Sequence, residues 1–433
     1  MKKNKTVYLT LVGDNFNAGH RNIVETAKKY GKVIVGLMTD KACVEYTSLP
    51  HFSFEHRKNT ILGSCNYIYR VIPQNSLDYS SNLNLLKPDF VVHGDDWKSG
   101  FQKKIRNKVI KQLKKWNGRL IEVPYTKNIP FSENRKQFLQ SNTTADIRKL
   151  KLNRLLKSKK IVKILEAHNP IGGIIIDNIS NNTLLSYDEF DGVWCSSLTD
   201  SSSRGKPDNQ SLDLTTRINW ISEMFEVTSK PLIFDADNGG GVDHIKFLIR
   251  RLEKLGVSAV IIEDKIGLKQ NSLFQDQSKT KLDSISKFSK KIKTAVESRL
   301  SSDFFIIARL ESLIVGQSIK QALKRADSYS KAGADMILIH SKKNTPKEIF
   351  KFAKEFKKSK FFKPLVAVPS AYPSVKEKEL VKNGFKIVIY ANHLLRSSYL
   401  SMLNTAKNIL INKRAKESEK HMISIKKIIE LIE

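Results

Sequence analysis

Three carboxylates follow two neighbouring apolar runs in the second half of the chain. Asp235 and Asp237 come after one run, and Glu263 comes after the next. Acidic side chains gathered in a dry cavity repel one another unless a cation lies among them. Because these ligands are all oxygens, without cysteine or paired histidine, the pattern favours Mg²⁺, or Mn²⁺, over zinc. The alternative is that one carboxylate caps a helix while the others form ion pairs with Arg309 or Lys265.

Basic and polar side chains follow the adjoining runs. Arg309 and His340 each come directly after an apolar run, and Lys269, Asn271 and Ser272 lie on the loop after the second acidic position. Together they indicate an anion pocket beside the metal site. Such a pair of sites suits a small substrate that has both a carboxylate and a phosphoryl group. The cation and backbone amides would hold the enolpyruvate end, and the basic side chains would hold the phosphorus oxygens.

A polar segment, TDSSSRGKPDNQSLD at 199–213, follows another apolar run. Its small, turn-forming residues predict a mobile lid, which would exclude water while a phosphoryl group moves. Asp208, near its end, is then placed to act on that group. The alternative is that Asp208 is the N-cap of a helix beginning near residue 211.

The elements that must position these residues form a regular series from about residue 151. Eight short apolar runs alternate with helical patterns, at 171–176, 192–195, 231–234, 258–262, 304–308, 335–339, 364–368 and 385–391. This alternation predicts a (β/α)₈ barrel, with a doubly wound sheet carrying extra strands as the alternative. In a barrel the chemistry lies at the carboxyl ends of the strands, where the polar residues above fall.

The first third of the chain predicts a separate α/β unit. Strands are predicted at 6–12, 32–38, 67–72, 89–93 and 119–123, with helices at 20–29 and 102–116. The βαβ opening predicts a parallel, doubly wound, Rossmann-like sheet. We therefore predict an α/β domain at 1–135, a linker at 136–150, and the barrel domain with a carboxyl-terminal helical extension at 151–433.

Composition narrows the class of protein. The chain has 433 residues, 40% of them hydrophobic, which is enough for two or three full-sized cores. Its net charge of +32 comes from lysines scattered over helix faces, so we expect small-anion attraction and no nucleic-acid partner. The three cysteines predict ordinary thiols. Without a long apolar run or a signal peptide, we expect a soluble, cytoplasmic protein with no membrane contact.

Several motifs closely resemble the phosphoenolpyruvate mutases of the isocitrate lyase superfamily. They are WCSSLTDSSSRGKPD (194–208), DADNGG (235–240), EDKIGLKQNSLF (263–274), IIARLESLI (306–314), ILIHSK (337–342) and IYANHLLR (389–396). The resemblance covers about 151–412 and implies a barrel whose last helix is exchanged between subunits of a homodimer or homotetramer. It also implies Mg²⁺-dependent interconversion of phosphoenolpyruvate and 3-phosphonopyruvate, the first step of phosphonate biosynthesis.

The resemblance further implies roles for individual residues. Asp235 is implied as the principal Mg²⁺ ligand, with Asp237 and Glu263 acting mainly through bound water. Asp208 is implied as the phosphoryl-accepting aspartate. The remaining substrate contacts are implied at Trp194, Ser196, Ser197 and Leu198 for the pyruvyl end, and at Lys269, Asn271, Ser272, Arg309 and His340. Ser197 stands where many relatives have glycine and Asn238 where they have threonine, and neither change removes a ligand.

Two other activities belong to the same superfamily. Phosphonopyruvate hydrolase has nearly the same pocket but lets water take the phosphoryl group, and the Asn271–Ser272 pair favours the mutase. The carbon–carbon lyases carry a K-K-C-G-H motif, which this sequence lacks.

The first domain resembles the cytidylyltransferase-like domains fused to some mutases, through VGDNFNAGHRNI (12–23), HGDDW (93–97) and YTKNIPFS (125–132). Active domains of that kind hold nucleotide phosphates with an H-x-G-H pair at a helix N-terminus and with an I-S-S/T loop. Here Asn17 replaces the first histidine. The candidate nucleotide-binding residues are Asn17, Gly19, His20, Asp95 and Ser132. CTP chemistry on a phosphonate, nucleotide binding without turnover, and a purely structural role all remain open.

Overall fold

The computed structural model describes residues 5–100, 102–124, 133–183, 186–267, 269–273, 276–277 and 279–432. These residues form two large parallel sheets, an open one of five strands and a closed barrel of eight. The predicted α/β class, with a Rossmann-like sheet followed by a (β/α)₈ barrel, is therefore confirmed.

The amino-terminal sheet is doubly wound. Its strands are β1 (Thr6–Leu11), β2 (Lys32–Met38), β3 (Ile68–Gln74), β4 (Phe90–Gly94) and β5 (Arg119–Val123), all parallel in the order β3-β2-β1-β4-β5. The helices are α1 (Ala18–Lys28), α2 (Asp40–Val44), α3 (Phe54–Ser64), α4 (Ser80–Leu86) and α5 (Gln102–Leu113). Separate hydrophobic clusters cover the two faces of the sheet. The strand order reverses between β1 and β4, and that crevice is where doubly wound sheets bind ligands.

Two helices connect this sheet to the barrel. They are α6 (Glu133–Asn142) and α7 (Ala145–Ser158), so the predicted linker at 136–150 is largely helical. The Thr144 side chain accepts the backbone N–H of Ile147 and caps α7. Leu152 and Leu155 are buried in the cluster formed by side chains inside the barrel. The predicted boundaries at 135 and 151 stay predictions.

The barrel closes in the order β10-β11-β14-β15-β16-β17-β6-β9. Its strands are β6 (Val162–Glu166), β9 (Gly192–Cys195), β10 (Leu232–Asp235), β11 (Ala259–Glu263), β14 (Phe305–Leu310), β15 (Met336–Ile339), β16 (Leu365–Ala367) and β17 (Phe385–Tyr390). Two small hairpins accompany it, β7 (Ser180–Thr183) with β8 (Ser186–Glu189), and β12 (Lys265–Ile266) with β13 (Lys281–Leu282).

Helices surround the barrel and extend past it. They are α8 (Pro170–Asn178), α9 (Ser197–Ser202), α10 (Leu214–Asn219), α11 (Ile221–Val227), α12 (Val242–Leu255), α13 (Ile285–Ser298), α14 (Ile319–Lys331), α15 (Lys347–Phe356), α16 (Glu377–Lys382), α17 (His393–Asn412), α18 (Lys416–Glu419) and α19 (Ile425–Ile432). Over the ranges that the structure describes, no helix is both long and apolar enough to cross a membrane.

The prediction of the first barrel strand at 171–176 is wrong. That segment is helix α8. The first strand is β6, which starts nine residues before the predicted run. Asn169 caps α8 by accepting the N–H of Gly172, and Pro170 occupies its first turn. A side chain at Gly172 would lie 2.9 Å from the Ala167 side chain, so the glycine that weakens the helical pattern is needed for close packing.

Candidate active site

The three predicted metal-binding carboxylates are buried at the carboxyl ends of adjacent strands. Asp235 ends β10, Glu263 ends β11, and Asp237 follows β10 in the left-handed backbone region at φ 51°. Asp235 Oδ2 accepts the Ser197 hydroxyl at 3.0 Å, and its Oδ1 accepts the backbone N–H of Asp237 at 3.1 Å. Among the described residues, no three acidic, histidine or cysteine side chains form a ready-made metal cage.

Cationic side chains separate the carboxylates instead. Lys269 Nζ lies 2.5 Å from Asp237 Oδ1, and Arg309 lies 3.4 Å from Glu263 Oε2, with Lys265 at 3.9 Å from the same oxygen. The alternative from the sequence, in which carboxylates form ion pairs with Arg309 or Lys265, therefore applies to Glu263. Burial raises the pKa of Glu263 to about 7, against the opposing effect of the two cations.

The carboxylates nevertheless fit a hard cation. Glu263 Oε2 is buried and accepts no hydrogen bond from the described residues. Burial would raise the pKa of Asp235, but Lys269, Arg309 and Arg217 outweigh it and hold that pKa below its usual value. An ionised carboxylate at the cavity, with further carboxylate oxygens behind it, is the oxygen-only donor set that Mg²⁺ uses with few direct protein ligands.

One cavity at this end of the barrel collects the predicted substrate-binding residues. It is lined by the predicted residues Trp194, Ser196, Ser197, Leu198, Asp208, Asp235, Lys269, Asn271, Ser272, Arg309 and His340. The indole Nε1 of Trp194 is buried and has no partner among the described residues. Six further residues that line the cavity were not predicted: Leu273, Leu338, Val368, Ser370, Ala391 and Asn392. Of these, Asn392 could have been predicted from the sequence, because it directly follows the last apolar run.

Asp208 is held over the cavity by two side chains from the loop after β11. Lys269 Nζ lies 2.7 Å from Asp208 Oδ1, and the Asn271 amide donates to Oδ2 at 2.9 Å. Lys269 also donates to the Ser197 hydroxyl. Burial would lower the pKa of Lys269, but the surrounding carboxylates raise it above the usual value, so the ammonium is retained. Asp208 does not cap a helix, since Asp213 is the N-cap of α10.

The predicted lid at 199–213 begins inside helix α9. Asp200 on that helix accepts from Arg217 Nε at 2.9 Å, and Arg217 lies on α10. This buried pair joins the start of the segment to the helix that follows it. Arg217 also lies 3.5 Å from Asp237 Oδ2, so it links the segment to the carboxylates. Arg217 was not predicted as a site residue, because it lies on a helix and follows no apolar run.

The basic side of the cavity is organised around Glu311, which was also missed as a site residue. Arg309 Nε donates to Glu311 Oε1 at 2.6 Å, and Ser272 Oγ donates to Oε2 at 2.5 Å. His340 Nδ1 lies 3.0 Å from Oε1. Burial lowers the pKa of His340. In the sequence, Glu311 is marked as a possible site residue by its position two residues after Arg309.

The candidate nucleotide site lies at the crevice between β1 and β4. Asn17 is the N-cap of α1, since its Oδ1 accepts the backbone N–H of His20, while His20 Nδ1 accepts the N–H of Asn17. Gly19 lies in the first turn. Asp95 follows β4, with Lys98 at 3.9 Å. Ser132 lies outside the described residues. The two polar side chains of the α1 N-terminus thus cap the helix.

The fold and the cavity together define a (β/α)₈-barrel enzyme that acts at the carboxyl ends of its strands. Residues 152–410 match the family model described as phosphoenolpyruvate phosphomutase, and residues 14–165 match the cytidylyltransferase-like family model. The chain therefore belongs to the phosphoenolpyruvate phosphomutase family and carries a cytidylyltransferase-like region before the barrel.

Named relatives have more than one activity. A phosphoenolpyruvate phosphomutase from Tetrahymena pyriformis is 33% identical over 65% of this chain and 89% of its own length. A phosphonopyruvate hydrolase from Variovorax sp. is also 33% identical, over 65% of this chain and 93% of its own length. A crystal structure of phosphonopyruvate hydrolase with oxalate and Mg²⁺ is 32% identical, covers 66% of this chain and 94% of that one, and has a TM-score of 0.58.

Proposed function

We propose that this chain is a Mg²⁺-dependent phosphoenolpyruvate mutase, which interconverts phosphoenolpyruvate and 3-phosphonopyruvate. One observation carries the proposal. Asp208 lines the cavity with both carboxylate oxygens held, by Lys269 and by Asn271, and Ser272, Arg309 and His340 line the same cavity. A fixed carboxylate facing a cationic cradle suits a phosphoryl group that leaves one atom of a substrate and returns to another.

The residues divide between the two ends of the substrate. Ser196, Ser197 and Leu198 would hold the pyruvyl end, together with Asp235, which would be the direct ligand of Mg²⁺. When bound, Mg²⁺ would supply positive charge that stabilises an enolate oxygen. The buried Trp194 N–H is available as a donor to the substrate.

Asp208 would carry the phosphoryl group between its two positions. The bond from phosphorus to the enol oxygen breaks, its electron pair stays on the enolate, and a bond forms from phosphorus to the carboxylate. The enolate carbon then attacks phosphorus, and Asp208 regains its charge. Arg309, His340 and Lys269 would stabilise the negative charge on the phosphorus oxygens throughout.

Phosphonopyruvate hydrolysis is the alternative, and the Variovorax relative has that name. The two reactions differ in whether water reaches the phosphoryl group. The Asn271 contact ties the loop after β11 to Asp208 and would help to close the cavity beside the carboxylate. This contact supports the mutase, because a closed site protects the intermediate from water.

Phosphorus NMR tests the proposal. The full chain is incubated with phosphonopyruvate and Mg²⁺, and the expected product is phosphoenolpyruvate. Free phosphate together with pyruvate alone would instead support the hydrolase, and no turnover would contradict both. Chelation with EDTA should abolish turnover, and added Mg²⁺ or Mn²⁺ should restore it.

A bifunctional mutase and phosphonate cytidylyltransferase is a second candidate. The match over 14–165 and the position of His20 and Asp95 at the strand-order reversal favour it. The capping role of Asn17, which lacks the charge of a histidine, argues for slow or absent turnover. Release of pyrophosphate from CTP in the presence of a phosphonate would establish the activity.

A further inference from the structure

Glu311 is fully buried directly after β14, and its carboxylate contacts four side chains around the cavity. Oε1 lies 2.6 Å from Arg309 Nε and 3.0 Å from His340 Nδ1. Oε2 lies 3.0 Å from Lys265 Nζ and 2.5 Å from Ser272 Oγ. Three of these partners, all except Lys265, also line the cavity. One carboxylate is therefore shared by most of the basic cradle.

The position of Glu311 is itself fixed. Its backbone N–H donates to Asp264 Oδ1 at 2.9 Å. Asp264 is fully buried, and its other oxygen accepts from Arg325 and from Tyr329, each at 2.9 Å. This second carboxylate anchors the backbone that carries Glu311, so the four contacts are made from a rigid point.

Ser272 shows how completely the hydrogen bonds around Glu311 are used. Its hydroxyl donates to Glu311 and accepts from Lys265 at 2.6 Å and from Arg309 Nη2 at 2.9 Å. These three side chains thus use all of the hydrogen-bonding capacity of the hydroxyl. Ser272 therefore connects Glu311 to the cationic side chains of Lys265 and Arg309 and helps to fix where they lie.

The contact with His340 selects one form of the ring. Burial would raise the pKa of Glu311, but Arg309, Lys265 and His340 outweigh it and hold that pKa well below its usual value, so the carboxylate only accepts. Nδ1 of His340 must then carry a proton in order to donate to it. Arg309 Nη2 lies 3.1 Å from Nδ1 and has a second N–H besides the one that donates to Ser272, so it is the negative charge of Glu311 that favours a proton on Nδ1 over acceptance from Arg309. Nε2 is left as the ring nitrogen available to a ligand.

We propose that Glu311 is a positioning residue for the proposed mutase reaction. Its carboxylate fixes Arg309, Ser272 and His340 where the phosphoryl group is held, and it selects the His340 tautomer that is protonated on Nδ1. Glu311 acts through these neighbours and does not contact the substrate. The role rests on the proposed function, but the tautomer can be measured independently of turnover.

The test compares Glu311→Gln, Glu311→Asp and Glu253→Gln in the full chain. Glu253 is a matched control, because it is equally buried on α12, accepts the N–H groups of Leu300 and Ser301, and lies outside the cavity. Turnover of phosphonopyruvate gives kcat and KM. Nitrogen-15 NMR of labelled histidine reports the ring, with the His340 signal assigned by its loss in His340→Gln.

Glu311→Gln should lower kcat about 10- to 100-fold and raise KM. With the carboxylate charge removed, the second N–H of Arg309 Nη2 should donate to His340 Nδ1 and move the ring proton to Nε2. Glu311→Asp should keep the Nδ1 proton and recover part of kcat. Glu253→Gln should lower thermal stability with kcat and KM within about twofold of wild type.

Two results would overturn the role of Glu311. One is an unchanged ring signal in Glu311→Gln with wild-type kcat and KM. The other is a loss of activity that matches only the loss of folded protein, as measured by circular dichroism. If wild-type chain converts no phosphonopyruvate, the proposed function fails, and the tautomer comparison alone then decides whether Glu311 sets the His340 ring.

Discussion

Lys269 lies almost completely buried between Asp208 and Asp237. This arrangement shows how the site stabilises a charged side chain that is removed from water. An unpaired ammonium in such a place would lose its proton, but two carboxylates within 2.7 Å stabilise it. Removing one partner of a buried pair leaves the other uncompensated, which costs about 3–5 kcal/mol. Substitutions here therefore change folding stability as well as activity, and both must be measured.

Asp208→Asn tests the proposed phosphoryl acceptor. The amide keeps the size of the side chain but cannot take a phosphoryl group, so the mutase rate should fall at least about 100-fold. Asp213→Asn is the control on the same segment, since asparagine is an equally good N-cap and α10 should be unaffected. Phosphorus NMR gives both rates. A rate for Asp208→Asn within a few-fold of wild type would exclude the acceptor role.

Asn271→Ala tests how the site separates mutase from hydrolase activity. Loss of its hydrogen bond to Asp208 should loosen the loop after β11 and let water reach the phosphoryl group. The expected result is a larger share of phosphate and pyruvate among the products of phosphonopyruvate. Asn209→Ala, in the exposed turn beside Asp208, should leave the products unchanged. An unchanged product ratio in Asn271→Ala would argue against this contact as the barrier to water.

The sequence predicted which residues line the cavity better than it predicted how they contact one another. Asp235, Arg309 and His340 follow apolar runs, and the closure of a barrel brings all strand ends together. Residue spacing does not reveal side-chain pairing. The contact of Lys269 with Asp237, and the four contacts of Glu311, depend on loop conformation, which the pattern of apolar residues does not encode.

At the scale of elements, the first barrel strand shows the limit of periodicity. A short apolar run is compatible with a buried strand or with a buried helix, and the run at 171–176 was assigned to the wrong one. The N-cap Asn169 and Pro170 at the first helical position were the signals that distinguish them. Strand β6 contains two buried charged residues, Lys163, which pairs with Asp188, and Glu166, which lies 2.7 Å from the His168 ring, and they interrupt its apolar pattern.

Helix α17 should hold two copies of the chain together. None of its twenty residues is buried, although Tyr399, Leu400, Met402, Leu410 and Ile411 are large and apolar. Large apolar side chains exposed along one helix normally mark a surface that packs against another molecule. This exposure supports the exchange of the last barrel helix between subunits, which the family resemblance implies.

Leu400→Asp should therefore convert an oligomer into a monomer. A charge placed in a buried helix interface is costly, because it must be desolvated without a partner. Light scattering after size-exclusion chromatography measures the mass. Phe247→Asp on α12 is the control, because Phe247 is similarly exposed at 61%, against 58% for Leu400, and should leave the assembly intact. A monomeric wild-type chain would contradict the proposal directly.

At the scale of the whole molecule, Arg154 on α7 joins the barrel to the amino-terminal sheet. Its guanidinium donates to both oxygens of Asp40, at 2.7 and 2.9 Å. It also donates to the carbonyl oxygens of Pro50, His51 and Phe52 at 2.8–2.9 Å. The same short segment is held from the other side, since its backbone N–H groups donate to the carboxylate of Asp14, on the loop that leads to α1.

Arg154→Gln should uncouple the two domains, because a neutral amide cannot replace a guanidinium that donates to four residues. The substitution also leaves Arg57 as the remaining ion-pair partner described for Asp40. The expected loss is about 2–4 kcal/mol, confined to the amino-terminal domain. Calorimetry should show that domain unfolding at a lower temperature than the barrel, while the mutase rate stays within about twofold. Arg251→Gln, at an exposed arginine that donates to Asn219, should leave the calorimetric trace unchanged. An unshifted transition in Arg154→Gln would mean that apolar contacts, such as Leu49 against the barrel interior, hold the domains together without it.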